Sequence, residues 1–212
     1  MFKIIDLLKK QLLVKLFVIY LRYLIGFAFV FASIIKIQGE RFTLIPPTEP
    51  VGYFFEAMYQ TGFYWIFLGW AQFISGALLM SQRFSTIGAL IFLPIITNVC
   101  LITHSVNFGS GTPTITTLML LGTIFLVLWD YKKWIILFKK DHSIYVDLRD
   151  EPEDKFMNDP AWVVASILFV AFTVAFHLLG GTYVLAWVVA MLATGISAFI
   201  WVMLKHKRRL AN

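Results

Sequence analysis

Six stretches of the chain run almost unbroken through apolar side chains: Leu16–Ile35, Thr61–Met80, Phe84–Val106, Thr114–Trp129, Ala161–Leu179 and Tyr183–Leu204. A helix that crosses a bilayer needs roughly 20 such residues, because the hydrocarbon core is ~30 Å thick and the helix rises ~1.5 Å per residue. The pattern predicts an all-α polytopic membrane protein with six transmembrane helices. These 120 residues hold one charge, Arg22, whereas the other 92 hold 29. An unpaired charge in hydrocarbon is costly, and the bilayer imposes that contrast.

The segments between the spans set the organisation. Residues 1–15 mix apolar and basic positions, which predicts an amphipathic helix on the inner surface. Their lysines and the apolar run that follows resemble a signal peptide. The run is too long for one and no small-residue cleavage site follows, so it reads as an uncleaved first span. The loop over residues 36–60 carries Pro46, Pro47 and Pro50, which force extended backbone. After them Val51–Gln60 predicts a short amphipathic helix in the outer interface, capping the bundle. Asp130–Pro160 holds 8 acidic and 6 basic side chains and reads as a linker. The parsing is a surface segment (1–15), an antiparallel four-helix core (16–135), a charged linker (136–160), a helical hairpin turned at Gly180-Gly181 (161–204) and a basic tail (205–212).

Composition narrows the class. The 212 residues are 59% hydrophobic with mean hydropathy +0.79, against ~45–50% apolar in soluble domains. A soluble fold and a disordered chain are both excluded. Cys100 is the sole cysteine, so no internal disulfide framework exists. Fifteen of the 18 basic residues fall in the N-terminal segment, the second–third loop, the linker and the tail; only Lys36 and Arg41 fall on the opposite side. By the positive-inside rule both termini are cytoplasmic. That asymmetry and anionic membrane lipid account for the +6 net charge. Nothing calls for a nucleic-acid partner.

Polar residues inside the spans are the candidates for function. Arg22, Gly26, Phe29, Ser33 and Lys36 share one face of the first span. Arg22 either snorkels to the inner headgroups or turns into the bundle. Gln72 shares a face with Gly69 and Gly76, small residues of the kind found where membrane helices meet. Its depth, with that of Thr123, permits a layer of Arg22, Gln72 and Thr123. Pro94 predicts a kink in the third span. Asn98 should point with Arg22 and Gln72 into a cleft. No acid lies in any span, so the partner expected for Arg22 is Gln72, a threonine hydroxyl, a backbone oxygen, or an anionic headgroup or ligand. Lys36, Glu40, Arg41, Glu56 and His104 should line the outer mouth. Gly111-Thr112-Pro113-Thr114 predicts a Thr-capped helix start.

Recognisable catalytic chemistry is missing. His104, His142, His177 and His206 lie on separate segments without metal-ligand spacing. No phosphate-binding or dinucleotide glycine motif occurs, and a lone thiol cannot run dithiol exchange. The chain suggests no metal and no cofactor of its own.

The stretch FLGWAQFISGALLMSQRFSTIGALIFLPIITNVCLITHSVNF, with Gly69, Gly76, Arg83, Gly88 and His104, follows LRYLIGFAFVFASIIKI, with Arg22, Gly26 and Lys36. Over residues 16–135 this resembles the DoxX family of bacterial integral membrane proteins. The resemblance implies a left-handed antiparallel four-helix core in the bacterial cytoplasmic membrane. That family is named for association with a thiosulfate–quinone oxidoreductase, and some relatives act as assembly factors. Many carry an acid near the position held here by Gln72, and an amide cannot do that acid's proton chemistry. The linker and hairpin extend beyond the usual four helices. The leading reading is an accessory protein without enzymatic activity that binds a lipid-like or quinone-like molecule or a membrane or redox protein partner, with homo-oligomerisation open. The alternatives are a quinone-linked oxidoreductase subunit and a small-solute transporter. Transport is disfavoured by the single intramembrane charge and kept in play by Pro94.

Overall fold

A computed structural model of the chain describes residues 2–109, 111–135 and 154–211. Residues 136–153 of the expected linker lie outside them. Among the described residues all regular structure is helical: α1 (Phe2–Leu8), α2 (Leu12–Ile37), α3 (Pro50–Gln60), α4 (Phe63–Met80), α5 (Ser85–Ser105), α6 (Thr112–Trp129), α7 (Tyr131–Ile135), α8 (Pro160–Leu178) and α9 (Val184–Ala211). The six expected spans correspond to α2, α4, α5, α6, α8 and α9, each long and apolar enough to cross a membrane.

α2, α4, α5 and α6 form the core, with α2 on α4, α4 on α5, α5 on α6 and α6 back against α2. Glycine decides how closely they approach. A Cβ on Gly26 would stand 2.6 Å from the Gly76 carbonyl oxygen, and one on Gly76 would stand 2.7 Å from that of Gly26. Small residues let membrane helices pack backbone to backbone. Gly88 does the same for α5, where a Cβ would run into the Leu79 backbone nitrogen. Inside, Phe29 and Phe92 meet edge to face with centroids 4.5 Å apart.

The hairpin α8–α9 packs on α2. Gly180 and Gly181 turn it at φ +66° and +69°, a conformation that glycine adopts without steric penalty. Asp159 caps α8 by accepting from Ala161 N at 3.1 Å, ahead of Pro160. Where α8 begins, Lys15 pairs with Asp154 at 2.7 Å, and Lys205 pairs with Asp159 at 2.6 Å. Phe156 and Met157 are buried there, so this part of the expected linker packs against the helices. α1 is likewise tied down: Tyr131 donates to Asp6 Oδ2 at 3.0 Å.

One local expectation is corrected: α6 is capped not by Thr112 but by Gly111, at φ 101° and with no side-chain cap bond; Thr116 and Thr117 instead donate back to the Pro113 carbonyl. The basic tail continues α9 as helix through Ala211, and Pro94 lies inside α5.

Candidate functional site

The polar residues of the core separate into two clusters at opposite ends of the bundle, with a buried amide between them. At the end where α2 begins, Arg22 is 2% exposed. Its Nη2 donates to Asp130 Oδ2 at 2.7 Å and its Nη1 to Gln82 Oε1 at 3.0 Å. Gln82 sits in the α4–α5 turn at φ 59°, where its Nε2 donates to the Met80 carbonyl at 3.2 Å. Ser85 pins the turn by donating to the Gln82 carbonyl at 2.9 Å. Lys133 approaches Asp130 Oδ1 at 3.3 Å from outside.

This corrects the partner expected for Arg22. No span supplies an acid, but Asp130 stands one residue past the end of α6 and Gln82 two past the end of α4. Helical side chains lean toward the N-terminus of their helix. Arg22 therefore reaches toward the end where α2 begins, and there the ends of α4 and α6 present polar groups. The legible signal was the acid directly after Trp129, which reads as linker when only span interiors are searched.

The expected layer of Arg22, Gln72 and Thr123 does not form. α4 meets α2 at Gly76–Gly26 and again at Gly69, which lies against Lys36 and Ile37. Gln72 sits between these contacts, four residues beyond Gly76, and Arg22 lies four residues the other way from Gly26. The two are thus roughly 12 Å apart along the bundle. Gln72 is 3% exposed and its Oε1 has no hydrogen-bond partner. Thr123 is fully buried and donates to the Met119 carbonyl at 2.7 Å; Ser33 donates to the Val30 carbonyl at 2.7 Å.

Asn98 is a second correction: it does not enter the core. The buried face of α5 carries Gly88, Phe92, Ile96 and Cys100. Asn98 is two residues from both Ile96 and Cys100, roughly 200° around the helix, and it is exposed.

The cluster at the opposite end of the bundle gathers most of the expected mouth residues. Lys36 is 4% exposed. Its Nζ donates to the Ala32 carbonyl at 2.8 Å and lies 4.2 Å from the Phe42 ring centroid and 5.5 Å from that of Trp65. Trp65 in turn donates to the Glu40 carbonyl at 2.9 Å. Above them Arg41 grips Glu56 with two hydrogen bonds, Nε to Oε2 at 2.7 Å and Nη2 to Oε1 at 3.0 Å. Gln60 adds a third at 2.8 Å. These bonds, that of Arg41 first, hold the Glu56 carboxyl down at about 2. α3 thus closes over this end of the bundle, with Phe55 stacked on Phe42 and edge-on to Phe108. His104 takes no part. It is exposed on α5, with Nδ1 2.9 Å from the Cys100 carbonyl oxygen. Among the described residues no three His, Cys, Asp or Glu side chains converge as a metal group.

A feature that the pattern of polar residues does not reveal lies on the other side of α2. Between α2 and the hairpin runs a groove of about 410 Å³, lined by Tyr23, Phe27 and Trp162 and floored by Ala165, Gly195 and Ala198. Its mouth is formed by Phe17, Tyr20 and Leu24, all exposed. Small-molecule sites span ~300–1,000 Å³ and are mostly apolar. Tyr23 spends its hydroxyl internally, donating to the Trp162 carbonyl, so the walls offer hydrocarbon. The small residues Ala165, Gly195 and Ala198 were the legible signal, but only the placement of the hairpin joins them to α2.

No family model matches the chain, and no solved structure matches it. Part of the chain is similar to "Uncharacterized protein YwoB" of Bacillus subtilis (strain 168), at 30% identity over 78 residues. The match covers 37% of this chain and 49% of that protein, so the chain spans about half the length of the relative it matches.

Proposed function

We propose that this chain is a DoxX-like accessory protein of the bacterial cytoplasmic membrane, with both termini inside, whose groove between α2 and the hairpin holds the hydrocarbon chain of an inner-leaflet lipid. The groove itself carries this reading: it is apolar throughout and opens sideways at the level of the spans. A membrane-embedded opening of that chemistry competes for acyl or isoprenoid chains, not for polar solutes. The exposed basic residues Arg208 and Arg209 at the end of α9 support this reading, since the positive-inside rule sets them against anionic headgroups of the inner leaflet. Arg22, already closed by Asp130 and Gln82, serves the bundle in this reading and leaves ligand contact to the groove.

Native mass spectrometry of detergent-extracted protein tests it. The wild-type chain should retain phospholipid. A Cβ on Gly195 would have only Phe169 Cζ nearby, at 3.8 Å, so Gly195→Leu fills the groove without meeting backbone. That variant should melt like the wild type and lose the lipid. Retention unchanged in Gly195→Leu would sink the reading. A stoichiometric quinone in place of phospholipid would move the function to the redox alternative.

A further inference from the structure

The outward face of α5 is a regular stripe. Ile87, Ile91, Pro94, Asn98, Leu101 and Ser105 follow at steps of four, three, four, three and four, and all are exposed. Alternating threes and fours is the seam spacing of two parallel helices wound about each other. Asn98 is the polar member inside the hydrocarbon zone: thirteen residues from Ser85 and seven from Ser105, or ~20 Å and ~10 Å from the two ends of α5. Within the described residues its amide takes no partner, so two N–H donors and an oxygen face lipid, which can satisfy neither. Pro94, one turn earlier on the same stripe, lacks an N–H and leaves the Leu90 carbonyl without its helical donor.

We propose that this stripe is the interface with a second copy of the chain, α5 against α5, about a two-fold axis along the membrane normal. The identity of the occupant follows from depth. Copies inserted in one membrane share one orientation, so α5 of the second copy runs parallel and brings its own Asn98 to the same level. A carboxamide is its own complement: each Asn98 donates an N–H to the oxygen of the other. A single Asn at a seam position is also what specifies register and pairs two helices, and a two-fold interface requires the same patch on both partners. α5 packs on α4 and α6 whereas the hairpin packs on α2, so this pairing leaves the lipid groove open on another side.

The test is oxidative cross-linking in phosphatidylethanolamine–phosphatidylglycerol vesicles. In a Cys100→Ser chain, Ile91→Cys and Leu101→Cys should each yield a disulfide-linked dimer. Leu118→Cys, on the α6 surface at 63% exposed, should not. The unaltered chain should remain monomeric on the gel, because Cys100 is buried with its Sγ 3.6 Å from Thr117 Oγ1 of α6. Fluorescence energy transfer on lipid dilution should show Asn98→Leu weakening dimerisation roughly tenfold, with Asn98→Gln retaining part of it. Equal cross-linking at Leu118, unchanged energy transfer in Asn98→Leu, or a cross-linked product whose mass reports a different protein would each overturn the proposal.

Discussion

Asp130→Asn removes the anion from a cation that cannot follow it into water. Arg22 and Asp130 have side chains only 3% and 7% exposed and meet at 2.7 Å. At an effective dielectric of ~20 that attraction is about 6 kcal/mol, much of it offset by the desolvation of both ions. Removing one partner keeps the desolvation and loses the attraction. Arg22 would retain only neutral acceptors, Gln82 Oε1 and the amide oxygen left at position 130, with its Nε already unbonded. The expected loss is about 3–5 kcal/mol, a fall in Tm of roughly 6–20 °C for a chain of this size. Lys133→Ala removes an amine 54% exposed and should change stability by ~0–1 kcal/mol. The double variant Arg22→Met with Asp130→Leu buries neither charge and should lie within ~1 kcal/mol of the wild type, or above it. Thermal unfolding by circular dichroism in a mild detergent reads these chains together with the single variants Arg22→Met and Asp130→Leu, which complete the double-mutant cycle. Asp130→Asn within ~1 kcal/mol of the wild type, or a double variant as damaged as the sum of the singles, would refute the reasoning.

Three further outcomes follow from other contacts. Gly76→Ala sets a methyl 2.7 Å from the Gly26 carbonyl oxygen and should lose about 1–3 kcal/mol by thermal melt; Gly122→Ala meets only side-chain ends of Ile25 and Leu21 at 3.1 and 3.4 Å and should lose much less. Glu56 is held ionised at about 2 against an ordinary 4.5, so its contribution to the α3 cap is complete above pH 4.5 and is lost as pH falls through about 2. Its carboxyl ¹³C resonance should titrate near 2 and move toward 4.5 in Arg41→Gln, and a wild-type midpoint near 4.5 would contradict the clamp. A reporter fused after Asn107 should be labelled from outside the cell and one at the C-terminus should not; the reverse pattern would invert the proposed orientation.

The span count was legible in the sequence because hydrocarbon tests each contiguous run of residues by itself. The same holds for α3, whose start at Pro50 follows from the fixed φ of proline, and for the Gly180-Gly181 turn. The glycines that seat α2 on α4 were visible too, since Gly26 and Gly76 repeat with other small residues on one helix face. Which polar groups meet was not legible. Arg22 and Asp130 are 108 residues apart, and their meeting depends on how α2 and α6 are rotated and shifted against each other. A helix turns ~100° per residue, so a small error in rotation moves a side chain from core to lipid. Asn98 shows the effect: it was expected in the cleft with Arg22 and Gln72, but Gly88 seats α5 on α4 and carries Asn98 outward. The groove depended on tertiary structure entirely. Tyr23 and Ala165 share no local pattern, and only the packing of the hairpin on the second face of α2 encloses a space between them.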